Sequence, residues 1–100
     1  MITSVYPVLM SESPAATAGF FVEHFGFEIT FEAEWYVSLQ HGSHELAVVD
    51  ATHDTIPDGH RSLAAGVLVN IEVDDVDTLH RTLTQSNVPV ARPLRSEEFG

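Results

Sequence analysis

Apolar and polar positions follow two rhythms along this chain, one of period two and one close to 3.6, and their alternation predicts the elements. Ile2 to Met10 is apolar and rich in strand formers, so it predicts a strand. Pro7 interrupts it; proline has no N–H for a ladder, so this strand lies at a sheet edge or leaves its own protomer at that point. Ser13-Pro14 predicts a helix start, a hydroxyl N-cap followed by proline in the first turn. The helix runs to Phe25 with Ala18, Phe21, Val22 and Phe25 as its buried stripe, and Gly26 stops it in a left-handed cap. From Phe27 to Ala33, Phe27, Ile29 and Phe31 alternate with Glu28, Thr30 and Glu32, a strand with one wet face. Trp35–Gln40 and Glu45–Asp50 flank His41-Gly42-Ser43-His44, whose Gly-Ser centre suits a two-residue hairpin turn. That register sets Leu39 against Leu46 and Val37 against Val48 on one face. On the other it sets Ser38 against Ala47 and Tyr36 against Val49. The first face is apolar enough to lie under a helix, with Trp35 on the same side as Val37 and Leu39. The second is small and mixed, and must be covered or line a cavity.

Residues 51–65 hold Pro, Gly, Asp and His and predict a surface connection. The pattern then restarts. Gly66 to Val73 predicts a strand, Asp74-Asp75 a cap, and Val76, Leu79 and Leu83 the apolar stripe of a second helix, with Asp75 and Asp77 where the helix dipole favours negative charge. Asn87 ends that helix as Gly26 ends the first, and Val88 to Arg95 begins another strand. Strand, capped helix, stop and strand therefore recur, the mark of one supersecondary unit used twice.

Composition narrows the partners. The 100 residues form one domain with a formal net charge of −11; residues 1–60 contain no Lys or Arg, and the only cations of either kind are four arginines further on. Such a surface repels phosphate backbones and anionic headgroups, so nucleic-acid and membrane-surface roles are excluded and a cationic ligand is attracted. With no cysteine there is no disulfide, thiolate nucleophile or zinc–thiolate site. No charged leader precedes an apolar run and no apolar stretch approaches ~18 residues, so a cytoplasmic protein is expected.

Three strings carry a family resemblance. Ser13 through Phe27 (SPAATAGFFVEHFGF) resembles the first helix, and its closing Gly-Phe, of the glyoxalase / bleomycin-resistance / extradiol dioxygenase (vicinal oxygen chelate) superfamily. Ile71 through Leu79 (IEVDDVDTL) resembles the strand-to-helix junction of that family's second unit and is the most specific of the three. Glu97-Glu98-Phe99-Gly100 resembles the residues before its last hairpin. The resemblance implies an α+β fold of paired βαβββ units, with strongly curved mixed sheets and helices on the outer face. Residues 1–50 would be the first unit, 51–65 the connection and 66–100 the start of a second unit. Family members continue for about one more hairpin, so the second unit is expected to be incomplete at the C-terminus.

Active members of the family hold a divalent metal on the concave sheet face with His or Glu side chains. The resemblance puts Tyr6, Ala47 and Leu68 at three of those positions. Leu and Ala have no donor atom, and a neutral phenol is a poor ligand beside carboxylate and imidazole. No metal, cofactor or catalytic residue is therefore expected. The family role left is that of the bleomycin-resistance proteins: acidic homodimers, exchanging an N-terminal strand around a proline, that sequester a cationic drug. The expected ligand-binding face carries Tyr6, Val8, Met10, Tyr36, Ser38, Ala47, Val49, Leu68, Asn70 and Glu72, an apolar and aromatic lining with a few polar groups. Tyr36 would stack on a flat or cationic group, with Asn70 and Glu72 orienting it. The alternative is a lyase or dioxygenase of this family using a non-standard metal, or Glu72 and Tyr6 as acid–base groups. A third possibility is a degenerate subunit that pairs with another chain. The six histidines add little. His41 and His44 read as polar turn residues, His24 and His80 as helix-border residues, and His53 and His60, with Asp54 and Asp58, as a solvated loop.

Overall fold

The computed structural model describes residues 1–91, which order as β1 (Val8–Ser11), α1 (Pro14–Phe25), β2 (Glu28–Glu32), β3 (Tyr36–His41), β4 (His44–Asp50) and α2 (Val76–Gln85). They divide between two compact units, Met1–Val67 and a second that begins at Leu68.

The first unit is a complete βαβββ motif. Its mixed four-stranded sheet has the order β1-β4-β3-β2, with β1 parallel to β4 and the remaining pairs antiparallel. The strong curvature expected of the sheet is not seen; four strands with two open edges lack the closure that forces strands to tilt and coil. The β3–β4 hairpin has the register the turn chemistry predicts, Leu39 against Leu46, Val37 against Val48 and Ser38 against Ala47. Val37, Leu39, Leu46 and Val48 are buried, and with Ala18 and Phe21 of α1 lying over β3 and β4 they form the core.

α1 begins where Ser13 Oγ accepts from the Ala16 N–H (3.4 Å) and Pro14 fills the first turn. Its buried stripe is Pro14, Ala18 and Phe21, with Phe25 half-buried. Val22, expected in that stripe, is exposed: it lies one position past Phe21, about 100° round the helix, beyond the sheet's reach. Gly26 ends the helix at φ 70°. An L side chain in that region costs roughly 1–2 kcal/mol, so Gly26→Ala is expected to lower stability by about 1 kcal/mol, seen as an earlier urea midpoint with an unchanged slope.

Three other expectations for this unit change. β1 starts at Val8, not Ile2, because proline at position 7 offers no donor; its carbonyl still accepts from the Ala47 N–H (3.0 Å). β1 does lie at a sheet edge, where the Met10 carbonyl accepts from the Ala64 N–H (2.9 Å). β2 pairs Ile29 with Leu39 but Phe31 with Ser38, so Thr30 is a bulge residue and the alternation reverses there. Phe31 consequently joins the face opposite to that of Ile29. Trp35, expected in the core, is half-buried just before β3, and its indole stacks on the His53 imidazole (centroids 4.0 Å, planes 11° apart). His53 is held there by the Thr55 N–H donating to its Nδ1 (3.2 Å), with Asp54 3.5 Å away.

In the second unit α2 forms as its cap and stripe predict. Asp75 accepts from the Thr78 N–H (3.1 Å) and hydroxyl (2.7 Å), and Asp77 lies in the first turn. Asn87 takes φ 61°, and the Val88 and Asn87 N–H groups donate to Leu83 and Thr84, a Schellman closure. The strand expected over Gly66–Val73 is not formed, since among the described residues it has no ladder partner, and a strand is made by pairing rather than by pattern alone. Val88–Ala91 is likewise not a strand, and the rest of the expected Val88–Arg95 strand lies outside the described residues. The two bonds from Thr78 hold the Asp75 carboxyl below its usual range. Its stabilising effect is therefore present above the ordinary carboxylate pKa and lost as pH falls through the lowered one. Amide protection factors within α2, corrected for the intrinsic rate, are expected to fall on acidification, and an Asp75→Asn variant to blunt that response.

Candidate ligand-binding face

The hairpin register decides which side chains share the face turned away from α1. On β3 and β4 these are Tyr36, Ser38, Gln40, Glu45, Ala47 and Val49; on β1, Val8 and Met10; on β2, Phe31. Ala47, fully buried at the centre, is flanked by Val8 on one strand and Ser38 on the other, and its methyl keeps the middle of the face low. Around it Val8 is 43% exposed, Tyr6 43% and Phe31 53%, so the face is open within this unit and mixes apolar rings and methyls with the polar Ser38, Gln40 and Glu45. A shallow depression of about 190 Å³ lies here, touching Tyr6, Thr30, Ser38, Gln40 and Glu45. That is smaller than the ~300–1,000 Å³ that encloses a drug-sized ligand. The depression alone is too small to enclose such a ligand.

The polar groups sit among aromatic ones. Burial, and after it the hydrogen bond with Tyr6, pushes the Tyr36 hydroxyl above its ordinary pKa; the bond with Ser38 pulls the other way. The phenol therefore stays neutral through the physiological range, a donor and acceptor within an aromatic pair. Phe31 lies 6.2 Å from the Tyr36 ring, tilted by 59°. Glu45 marks the polar end, its carboxylate accepting from Ser4 Oγ (3.1 Å).

Of the residues expected here, Tyr6, Val8, Met10, Tyr36, Ser38 and Ala47 come together in the first unit. Leu68, Asn70 and Glu72 belong to the second, where Leu68 is 93% exposed and none of the three lies in a strand. The expectation missed Phe31, Gln40 and Glu45 on this face, of which Gln40 follows from the predicted turn register as Glu45 does. Phe31 reaches this face only through the Thr30 bulge, which the regular alternation around it does not announce. Glu45 was legible, because the predicted turn already placed it on the same side as Ala47.

Among the described residues no three His, Asp or Glu side chains group as metal ligands would, and no helix is long and apolar enough to cross a membrane. No curated protein is significantly similar to the chain. Solved structures are. A bleomycin-binding protein from Streptomyces verticillus, complexed with copper(II)-bleomycin, is 24% identical with a TM-score of 0.54, over 85% of this chain and 64% of that one. A lactoylglutathione lyase from Agrobacterium tumefaciens is 16% identical with a TM-score of 0.66, over 96% of this chain and 79% of its own. A protein from the mobile metagenome of V. pseudocholerae is 18% identical with a TM-score of 0.70, over 100% of this chain and 81% of its own. The chain thus spans just under two thirds of the bleomycin-binding protein's length and about four fifths of the other two. At these identities the likeness is one of fold. The family pattern reaches further, matching residues 4–100, and by it the chain belongs to the Glyoxalase/Bleomycin resistance protein/Dioxygenase superfamily.

Proposed function

We propose that this protein binds a small, cationic or aromatic molecule without the help of a metal, on the open sheet face of its first unit. The observation that carries this reading is the composition of that face: Tyr6, Val8, Phe31 and Tyr36 surround the donor-free methyl of Ala47, with the Glu45 carboxylate at one end. Rings offer their faces to a flat or positively charged group, and a carboxylate in a chain of net charge −11 adds long-range attraction for it.

The metal of active family members does not fit these residues. Ala47 and Leu68 have no donor atom, and a phenol such as that of Tyr6 is a poor ligand beside carboxylate and imidazole. The chain's own groups supply stacking, apolar contact and a negative charge, which is the equipment of a sequestering protein. The solved bleomycin-binding protein of the same fold points to cationic glycopeptides as the first ligands to try.

A homodimer belongs to the same proposal, since a second wall is needed to enclose a drug-sized ligand. Ser4 and Pro7 bond to β4 of their own chain; exchanging the segment before Pro7 would make the same bonds between two copies at little net cost. A cytoplasmic location is also part of it. Calorimetric titration with a metal-free cationic glycopeptide is expected to give saturable binding to the chain, and sedimentation a mass of two chains. Silence across such glycopeptides would remove the drug-binding form of the proposal.

A further inference from the structure

We propose that the stacked Trp35–His53 pair is a pH-operated clasp: neutral His53 closes the 53–56 turn onto Trp35, and protonated His53 releases the Thr55 amide of that turn. The pair closes a ring that backbone bonds have already begun. The Asp50 N–H donates to the Trp35 carbonyl (2.8 Å) and the His53 N–H to the Asp50 carbonyl (3.0 Å). The His53 ring then lies back on the indole, centroids 4.0 Å apart and planes 11° from parallel, with both residues half-buried. The turn is completed by the Ile56 N–H, which donates to the His53 carbonyl (3.1 Å).

One hydrogen bond makes the clasp sensitive to a proton. Nδ1 of His53 accepts from the Thr55 N–H (3.2 Å), and a ring nitrogen can accept only while it carries no hydrogen. The closed turn therefore belongs to the neutral imidazole with its hydrogen on Nε2. A proton added at Nδ1 sets two N–H groups against each other, and the Thr55 N–H loses its acceptor. The new Nδ1–H has two other oxygens to turn to, the Thr55 hydroxyl at 3.0 Å and the Asp54 carboxylate at 3.5 Å. The imidazolium is still attracted to the indole face, so the ring stays and the backbone gives way. Histidine is the side chain that changes charge between about pH 5 and 8. The other charged groups around the pair do not take over this role. The Asp50 carboxylate is engaged by the Thr52 N–H (2.9 Å) and hydroxyl (2.7 Å). Arg61 is held by Asp58 (3.2 Å) and the Ile56 carbonyl (2.8 Å). His60 follows in the same connection, and on the Trp35 side the chain neighbours are Glu34 and Tyr36, whose ring lies 5.4 Å from the indole. The clasp is independent of the ligand-binding reading above.

Trp35 is the chain's one tryptophan, so its emission reads this pair alone. The test is a titration of the full chain from about pH 8 to 5, following that emission and, by nuclear magnetic resonance, the Thr55 amide. An imidazolium in contact with indole quenches it more than a neutral imidazole does, so emission should fall through a single transition. Over the same range the protection of the Thr55 amide, corrected for the intrinsic exchange rate, should be lost. His53→Gln cannot take up the proton and should leave both signals flat. His53→Phe, which keeps a ring on the indole, should do the same, and circular dichroism checks that each variant is folded. His60→Gln should leave both transitions in place. An emission transition retained by His53→Gln, a Thr55 amide equally protected at both ends of the titration, or no emission transition in the unsubstituted chain would each overturn the proposal.

Discussion

Replacing Leu39 by alanine should cost this protein about 2–5 kcal/mol, the range for emptying a buried leucine site. Leu39 is 1% exposed on β3, the strand between β2 and β4, where it opposes Ile29 on one side and Leu46 on the other beneath α1. Each neighbour is fixed by its own ladder bonds, so the sheet has little freedom to close over the void. Domains of this size have total stabilities of roughly 5–15 kcal/mol, and the loss is therefore a large share of the whole. Urea unfolding followed by far-ultraviolet circular dichroism would report it as a much lower midpoint. A drop below 1 kcal/mol would mean that α1 does not hold the sheet as described.

The second large effect is expected on binding. Tyr36→Ala should weaken affinity for a cationic or aromatic ligand at least about tenfold, equivalent to ~1.4 kcal/mol. The ring is half-buried and tilted against Phe31, so truncation removes both a stacking surface and a hydroxyl. Tyr36→Phe separates the two contributions. It keeps the ring and loses only the hydroxyl, and should weaken binding by much less. Equal losses in the two variants would assign the interaction to the hydroxyl rather than to stacking. No change in either would place the ligand elsewhere.

Local signals foretold the first unit well because its chemistry is local. Ser13-Pro14 opens α1, Gly26 closes it, and the Gly42-Ser43 turn alone fixes the register that buries Val37, Leu39, Leu46 and Val48. Asp75 and Asn87 bound α2 for the same reason. What was not legible depends on partners distant in sequence. The Thr30 bulge is set by how β2 meets β3, and it moves Phe31 across the sheet without any break in the alternation of Phe27, Ile29 and Phe31. Trp35 found His53 eighteen positions later, a stacking that no local pattern encodes. Gly66–Val73 has the apolar content of a strand and no ladder to join among the described residues. The candidate face divides along the same line. Tyr6, Val8, Met10, Tyr36, Ser38 and Ala47 follow from register and meet, whereas Leu68, Asn70 and Glu72 depended on a strand that does not form.

Metal independence is the centre of the functional account, and one comparison tests it most directly. Affinity for a single metal-free glycopeptide is measured twice, in the presence of a strong chelator and again after restoring one equivalent of divalent metal per chain. Ala47 and Leu68 contribute no donor atoms, so the two dissociation constants should agree within error. Binding that disappears with the chelator and returns with stoichiometric metal would contradict the account.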